Sequence, residues 1–261
     1  METAATAQAD IGILGGSGFS TFVEDARSLT VGTRWGETSA PVTIAVVDDV
    51  RVAFLPRHGI GHSLPPHRIN YRANIAAMRT LGVSALLAPF AAGSLRPEIH
   101  PGDLVVVDQF VDRTSGRADT FHDDFGDGPQ HVSVADPYDE RLRAILVDVG
   151  RTQGFAVHDG GTVVVIGGPR FATRAESMWY RSAGWHVINM TQHPEATLAA
   201  EAGIPFAGLA LITDYDIGVE SDPDVTPVTQ EQVFEFFEEN VGRLRDLLTA
   251  AVPRIHTTLA V

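Results

Sequence analysis

The chain has 261 residues, 44% of them apolar, no cysteine, and 19 basic against 33 acidic residues, a net charge of −14; every basic residue is arginine. Without cysteine there are no disulfides, thiolate nucleophiles or Cys-ligated zinc, and without lysine there is neither a Schiff base nor a Walker-type phosphate loop. The acidic balance makes nucleic acid and anionic lipid poor partners, and no apolar run approaches the ~18 residues of a membrane-spanning helix.

Residues 1–9 are small and polar and read as a disordered tail rather than a signal peptide, which points to a cytoplasmic protein. Residues 10–261 are expected to form one domain. Short β-branched runs recur at 11–14, 42–47, 50–55, 85–88, 104–107, 162–166 and 207–212. Several are apolar on both faces, as central strands covered by helices would be. Between them, Tyr71, Ile75 and Met78 repeat at helical spacing. Tyr138, Leu142, Ile145, Leu146 and Val149 do the same, with Asp136 as the expected N-cap, Pro137 in the first turn and Gly150 as the stop. The polar, Gly/Asp-rich stretch 112–133 is too long for an ordinary connection and is either a functional loop or disordered. Thr173-x-x-Glu176 and Thr229-x-x-Gln232 have the form of capping boxes, and the second opens a long helix through Val233, Phe237, Val241, Leu244 and Leu248. Strands alternating with helices predict an α/β fold: a single domain with a central mixed, twisted sheet flanked by helices.

Four segments can carry chemistry. Gly15-Gly16-Ser17-Gly18 follows a strand; missing side chains let N–H groups approach an anion, and Ser17 adds a hydroxyl, although a plain tight turn has the same composition. Arg57 and His58 follow the next long strand, where α/β ligand sites collect; they offer donors to an anion, or are a solvated pair. His58, His62 and His67 do not suggest a metal, because their spacing across glycines and prolines fits no helix face and no carboxylate lies among them. The run 187–191 ends at Thr191 beside a helix start, which suits an anion, a sugar hydroxyl or simple N-capping. Asp214 and Asp216 end a strand two residues apart. Crowded carboxyls resist joint ionisation, so one can keep a proton and act as an acid; a hydrated pair or a cation site has the same sequence.

IGILGGSGF (11–19), PRHG (56–59), INYRAN (69–74), GSLRPEIHPGD (93–103), DQFVDRTSGR (108–117), GPRFATRAES (168–177), VINMT (187–191) and TDYD (213–216) occur in one order. With these blocks the chain resembles the 5′-methylthioadenosine phosphorylases of the trimeric purine nucleoside phosphorylase family, from about residue 11 to 248. The resemblance implies a pentosyltransferase that splits a purine nucleoside with inorganic phosphate as co-substrate and no other cofactor, in purine or methionine salvage. It implies phosphate binding by Ser17, Arg57, His58, Ala91 and Thr191. Phe90, Ala92, Gly93, Phe171, Ala172, Met190 and Gln230 would line the nucleoside site, with Met190 under the ribose. Asp214 and Asp216 would read the adenine 6-amino group and N7, with Asp214 as the acid. His131 would reach a neighbouring subunit's site in a homotrimer, with a hexamer as the alternative.

Three residues depart from that pattern. Phe90 stands where many relatives have a small or hydroxyl residue, and Ala172 replaces a serine. Gln230 falls where many have an apolar residue beside the 5′ substituent; a polar group there fits a small polar 5′ group better than methylthio. Phosphorolysis of 5′-methylthioadenosine or a related 5′-deoxyadenosine derivative is therefore expected. The alternatives are a 6-oxopurine phosphorylase, a specialised enzyme for adenosine or 5′-modified nucleosides, and a non-catalytic nucleoside-binding protein.

Overall fold

Runs of β-branched residues without a polar break are stable only where both faces are covered, and they form the middle of the sheet. The computed structural model describes residues 9–16, 19, 22, 26–124, 126, 128–217 and 229–260. Its strands are β1 (Ile11–Gly15), β2 (Arg27–Leu29), β3 (Val42–Val47), β4 (Val50–Pro56), β5 (Ala85–Ser94), β6 (Leu104–Val106), β7 (Gln109–Arg113), β8 (Val157–Asp159), β9 (Thr162–Ile166), β10 (Val187–Asn189) and β11 (Phe206–Asp214). Its helices are α1 (Tyr71–Leu81), α2 (Glu140–Thr152), α3 (Arg174–Ser182), α4 (Gln192–Ala202) and α5 (Gln230–Leu259). All the strands join one mixed sheet in the order β2-β3-β4-β1-β5-β10-β9-β7, with β11 also on β5, β6 on β11 and β8 on β6.

The alternation of side chains along a strand divides the core. Leu14 of β1 faces one layer, packed against Tyr71, Ile75 and Met78 of α1 and Ala196 and Leu198 of α4. Ile11 and Ile13 face the other, packed with Leu142 and Leu146 of α2 and Phe237, Leu244 and Leu248 of α5. A smaller cluster of Leu95, Val164, Ile166, Tyr180 and Ile188 seats α3. Among the described residues no helix is long and apolar enough to cross a membrane.

β5 creates the opening in this frame. Its first residues, Ala85 to Leu87, pair parallel with β1, and its last two, Gly93 and Ser94, pair antiparallel with β10. β11 accompanies it from Leu86 to Gly93 on the other side. Between the two partners, residues 88–92 have one edge with no strand against it. The carbonyls of Pro89 and Ala91 on that edge accept side-chain donors instead, from Arg57 and Asn189.

Several expected boundaries move. α2 is capped by Asp139, whose carboxylate accepts from the N–H groups of Arg141 and Leu142, not by Asp136. Gly150 does not stop α2 but lies inside it, where an added Cβ would sit 2.9 Å from Val157; the helix runs on to Thr152. β5 continues six residues past Ala88, through Pro89, because no strand on its open edge needs the proline's missing N–H. Ala9, expected in the tail, is buried and donates its N–H to Leu81; residues 1–8 lie outside the described residues. The described part of 112–133 is packed: Phe121 lies against Trp35, Thr120 and the Phe121 N–H hold Glu201, and Arg117 reaches the carbonyls of Gly167 and His193.

Candidate active site

A cavity of about 510 Å³ opens at the free edge of β5, between the ends of β1, β4, β10 and β11 and the start of α5. Its first wall is built around Arg57, which follows β4 and is fully buried. Nε of the guanidinium donates to Glu195 Oε1 at 2.6 Å, one terminal nitrogen to Pro89 O at 2.9 Å and the other to Leu14 O at 2.7 Å. Three of five N–H donors are thus committed, and the fork is held in one orientation. Glu195, on α4, is buried as deeply; burial pushes its carboxyl up and the Arg57 charge opposes that. Gly16 lies alongside, and a Cβ there would come within 2.9 Å of the Arg57 guanidinium and 3.0 Å of Pro89 O, so no larger residue fits without moving it. Ser17 and Gly18 lie outside the described residues.

His58 extends this wall. Its Nδ1 lies 3.0 Å from Leu64 O, and its ring stacks on His62 at 4.2 Å. Burial first, then the His62 ring and the Arg57 charge, bring its pKa down to about 3. The ring is therefore neutral at pH 7, with Nδ1–H spent on Leu64 and Nε2 left as an acceptor. That differs from the donor role read from the sequence. Thr191 is buried on the cavity at the N-cap of α4 but makes no side-chain cap bond. The capping acceptor is Asn189, whose Oδ1 takes the N–H groups of Thr191 and Gln192 and whose amide donates to Ala91 O.

The second wall is acidic. Asp214 closes β11 and accepts at both oxygens, from the Thr213 hydroxyl at 2.7 Å and the Asp216 N–H at 2.6 Å. Asp216 turns back into the cavity at φ 55°, and its Oδ2 is buried without a hydrogen-bond partner. Burial raises both carboxyls; Asp216 goes to about 6, with the neighbouring Asp214 charge adding to the rise and Ser177 and Arg181 opposing it. Gly93 permits this packing, since a Cβ there would meet Asp214 Oδ1 at 2.9 Å.

The floor and sides are apolar. Met190 packs under Gly168, where an added Cβ would fall 2.5 Å from its sulfur. Phe171 and Ala172 line the side near α3. Phe90, Ala91 and Ala92 line the free edge of β5. Phe90 is nearly fully buried and packs in the layer of Leu14, Ala88 and Ala92, so most of its ring belongs to the core. The last wall comes from Gln230, Val233 and Phe234 at the start of α5, facing Gly61 and His62.

Thus Arg57, His58, Phe90, Ala91, Ala92, Gly93, Phe171, Ala172, Met190, Thr191, Asp214, Asp216 and Gln230 all border one cavity. His131 is exposed elsewhere on the chain and does not line it. Sequence reasoning missed Glu195, read only as part of a helix start, and Asn189, Thr213, His62 and Phe234. The available signal for Glu195 was electrostatic: an arginine that ends an apolar strand needs a buried counter-charge.

The family model described as the phosphorylase superfamily matches residues 10–253. The chain belongs to that superfamily. It is 49% identical to a purine nucleoside phosphorylase of Streptomyces coelicolor, over 94% of this chain and 89% of that protein. It is 48% identical to an S-methyl-5′-thioadenosine phosphorylase of Mycolicibacterium smegmatis, over 94% and 91%. A methylthioadenosine phosphorylase of Schistosoma mansoni, solved in complex with adenine, superposes with a TM-score of 0.88 at 37% identity, covering 96% of this chain and 93% of that one. Superfamily membership accounts for the mixed sheet flanked by helices.

Proposed function

We propose that the protein is a pentosyltransferase that cleaves the N-glycosidic bond of an adenine nucleoside of the 5′-methylthioadenosine class with inorganic phosphate, giving adenine and a pentose 1-phosphate. The observation that carries this is the pairing of two walls in one cavity: a guanidinium braced by Glu195 on one, and on the other a carboxyl pair that burial raises, Asp216 to about 6. Glycosidic cleavage builds positive charge on the sugar and negative charge on the base. Phosphate held by the two uncommitted N–H groups of Arg57, by Thr191 and by backbone N–H at Gly16 and Ala91 offsets the first and attacks C1′. His58 Nε2 accepts from the P–OH of hydrogen phosphate. A carboxylic acid at purine N7 meets the second charge, and Met190 supports the ribose.

Within the pair, two donors on Asp214 favour its ionised form, so the proton of the empty site resides on Asp216. The family resemblance favoured Asp214 as the acid; we assign the acid function to the pair. An ionised and a protonated carboxyl match a 6-amino donor and an N7 acceptor. A 6-oxopurine would set its carbonyl oxygen against a carboxylate, which disfavours the 6-oxo alternative.

We further propose a homotrimer in the cytoplasm, with His131 serving a neighbour's site and phosphate as the sole co-substrate. Exposed Val132, Phe171, Met178 and Trp179 give the subunit apolar surface to bury in such an assembly. The deciding experiment follows adenine release from 5′-methylthioadenosine with and without phosphate. Strict phosphate dependence is expected. Equal release without phosphate would make the protein a hydrolase, and adenine binding without turnover would make it a binding protein.

A further inference from the structure

The free edge of β5 borders the anion wall, and a strand edge without a neighbour leaves its N–H and C=O groups unheld. The N–H and C=O of one residue point to the same side of a strand, and residues two apart share that side. Pro89 and Ala91 therefore present their backbone groups to the same open edge, and Pro89 has no N–H. The Ala91 N–H is left as the donor of this stretch. It lies between two carbonyls that side chains hold, Pro89 O by Arg57 at 2.9 Å and Ala91 O by Asn189 at 3.2 Å. We infer that Asn189 is a positioning residue for phosphate: its single amide ties the Ala91 edge to Thr191, so that donors from β5 and from the start of α4 converge on one anion. The inference rests on the phosphate reading of the same cavity and names what keeps that site in shape.

The contacts of Asn189 divide between its two ends. The residue closes β10, borders the cavity and is buried. Its Nδ2 donates to Ala91 O, 98 residues away along the chain. Its Oδ1 accepts the N–H of Thr191 at 2.6 Å and that of Gln192 at 2.9 Å, with the Thr191 hydroxyl 3.4 Å away. Thr191 is thereby fixed through its backbone. Its hydroxyl makes no cap bond to α4 and stays available to the cavity it borders. A primary amide donates from one atom and accepts at another without carrying charge. An aspartate here would set a carboxylate against Ala91 O and against the incoming anion. A serine would keep an acceptor near the Thr191 and Gln192 N–H groups but lacks the reach to β5. Arg57 and Asn189 together do for residues 89–91 what a neighbouring strand does elsewhere, and each leads directly to an anion donor: the free N–H groups of the guanidinium, and the hydroxyl of Thr191.

The test measures KM for phosphate and KM for 5′-methylthioadenosine, each with the other substrate saturating, in the unaltered enzyme, Asn189→Ser and Asn189→Ala. Serine caps a helix about as well as asparagine, so Asn189→Ser keeps the acceptor and loses the tie to Ala91. Asn189→Ala loses both. One neutral hydrogen bond corresponds to about five- to tenfold, and KM for phosphate should rise by that factor in each variant. KM for the nucleoside should change by less than about twofold, because the carboxyl wall is untouched. The thermal midpoint of Asn189→Ser should stay near the parent's, which separates lost phosphate affinity from lost stability. The inference is overturned if either variant keeps the parent's KM for phosphate. It is overturned equally if KM rises by the same factor for both substrates, the mark of a cavity that has merely loosened. If the unaltered enzyme releases adenine as fast without phosphate, or releases none, the phosphorylase reading itself falls, and this inference with it.

Discussion

The two charged walls of the cavity solve the problem of a buried ionisable group in opposite ways. Arg57 is fully buried but fully braced: Glu195 supplies a counter-ion at 2.6 Å and two carbonyls take further N–H donors. Asp216 is buried with no counter-ion in hydrogen-bond contact and with Asp214 close by, so it holds a proton to about pH 6. A braced charge suits a task that never changes, holding an anion. An unbraced one suits a task that requires a proton to leave.

The largest expected effect removes the brace. Glu195→Ala strands the Arg57 guanidinium in the core, and we predict a loss of about 3–5 kcal/mol in unfolding free energy, with a raised KM for phosphate in whatever protein remains folded. Denaturant unfolding checks the first and initial rates the second; a stability within 1 kcal/mol of the parent would show that Arg57 is satisfied without Glu195. At the other wall, Asp214→Asn and Asp216→Asn should each fold and lower kcat by about 100-fold, roughly 3 kcal/mol of transition-state stabilisation. The double variant should lose little more than either single one, since the pair acts as a unit. Additive losses would mean two independent roles.

pH separates the walls further. The proposed mechanism requires the acid form of the pair, so kcat/KM for the nucleoside should fall as pH rises through about 6. Asp214→Asn removes the like charge that raises Asp216, and its basic limb should move to lower pH. His58 has the reverse linkage. Its folded pKa lies near 3, below the unfolded value of 6.5, so its contribution to stability is intact above pH 6.5 and is lost as pH falls toward 3. Thermal midpoints of His58→Asn should therefore be less sensitive to acid than those of the parent. The smallest effect is local: Asn189→Ala removes the acceptor that caps α4 and should cost about 1 kcal/mol, read as a modest drop in thermal midpoint.

The sequence exposed the walls better than what holds them. β1, β4, β9 and β11 were legible because their apolar runs are covered on both faces. Residues 27–29, 109–113 and 157–159 were not, because those strands are partly or wholly exposed and carry no alternation. The cap was expected at Asp136, but the backbone enters the helix three residues later, at Asp139, which has the same side chain and so the same local signal. Arg57, His58, Thr191, Asp214 and Asp216 were legible because strand ends mark ligand sites locally; Phe90, Ala91, Ala92, Gly93, Phe171, Ala172, Met190 and Gln230 border the same cavity but were named only through the family resemblance. Glu195 and Thr213 stayed hidden because a partner 138 residues away, or a hydroxyl beside a carboxylate, leaves no local pattern. His62 was considered only for metal binding, and its role depends on a ring stack that spacing does not reveal.

If Arg57 holds phosphate as proposed, its brace also makes phosphate a gauge of completed folding. Its contacts draw on β1, β5 and α4, with separations along the chain of 43, 32 and 138 residues. Closing loops of that span belongs to the slow, late part of chain assembly. A partly folded chain with β1 and β4 paired but α4 undocked would have the arginine without its orientation. Phosphate should therefore bind the finished subunit and ignore intermediates, so that adding it raises the unfolding midpoint without accelerating the earliest phase of refolding.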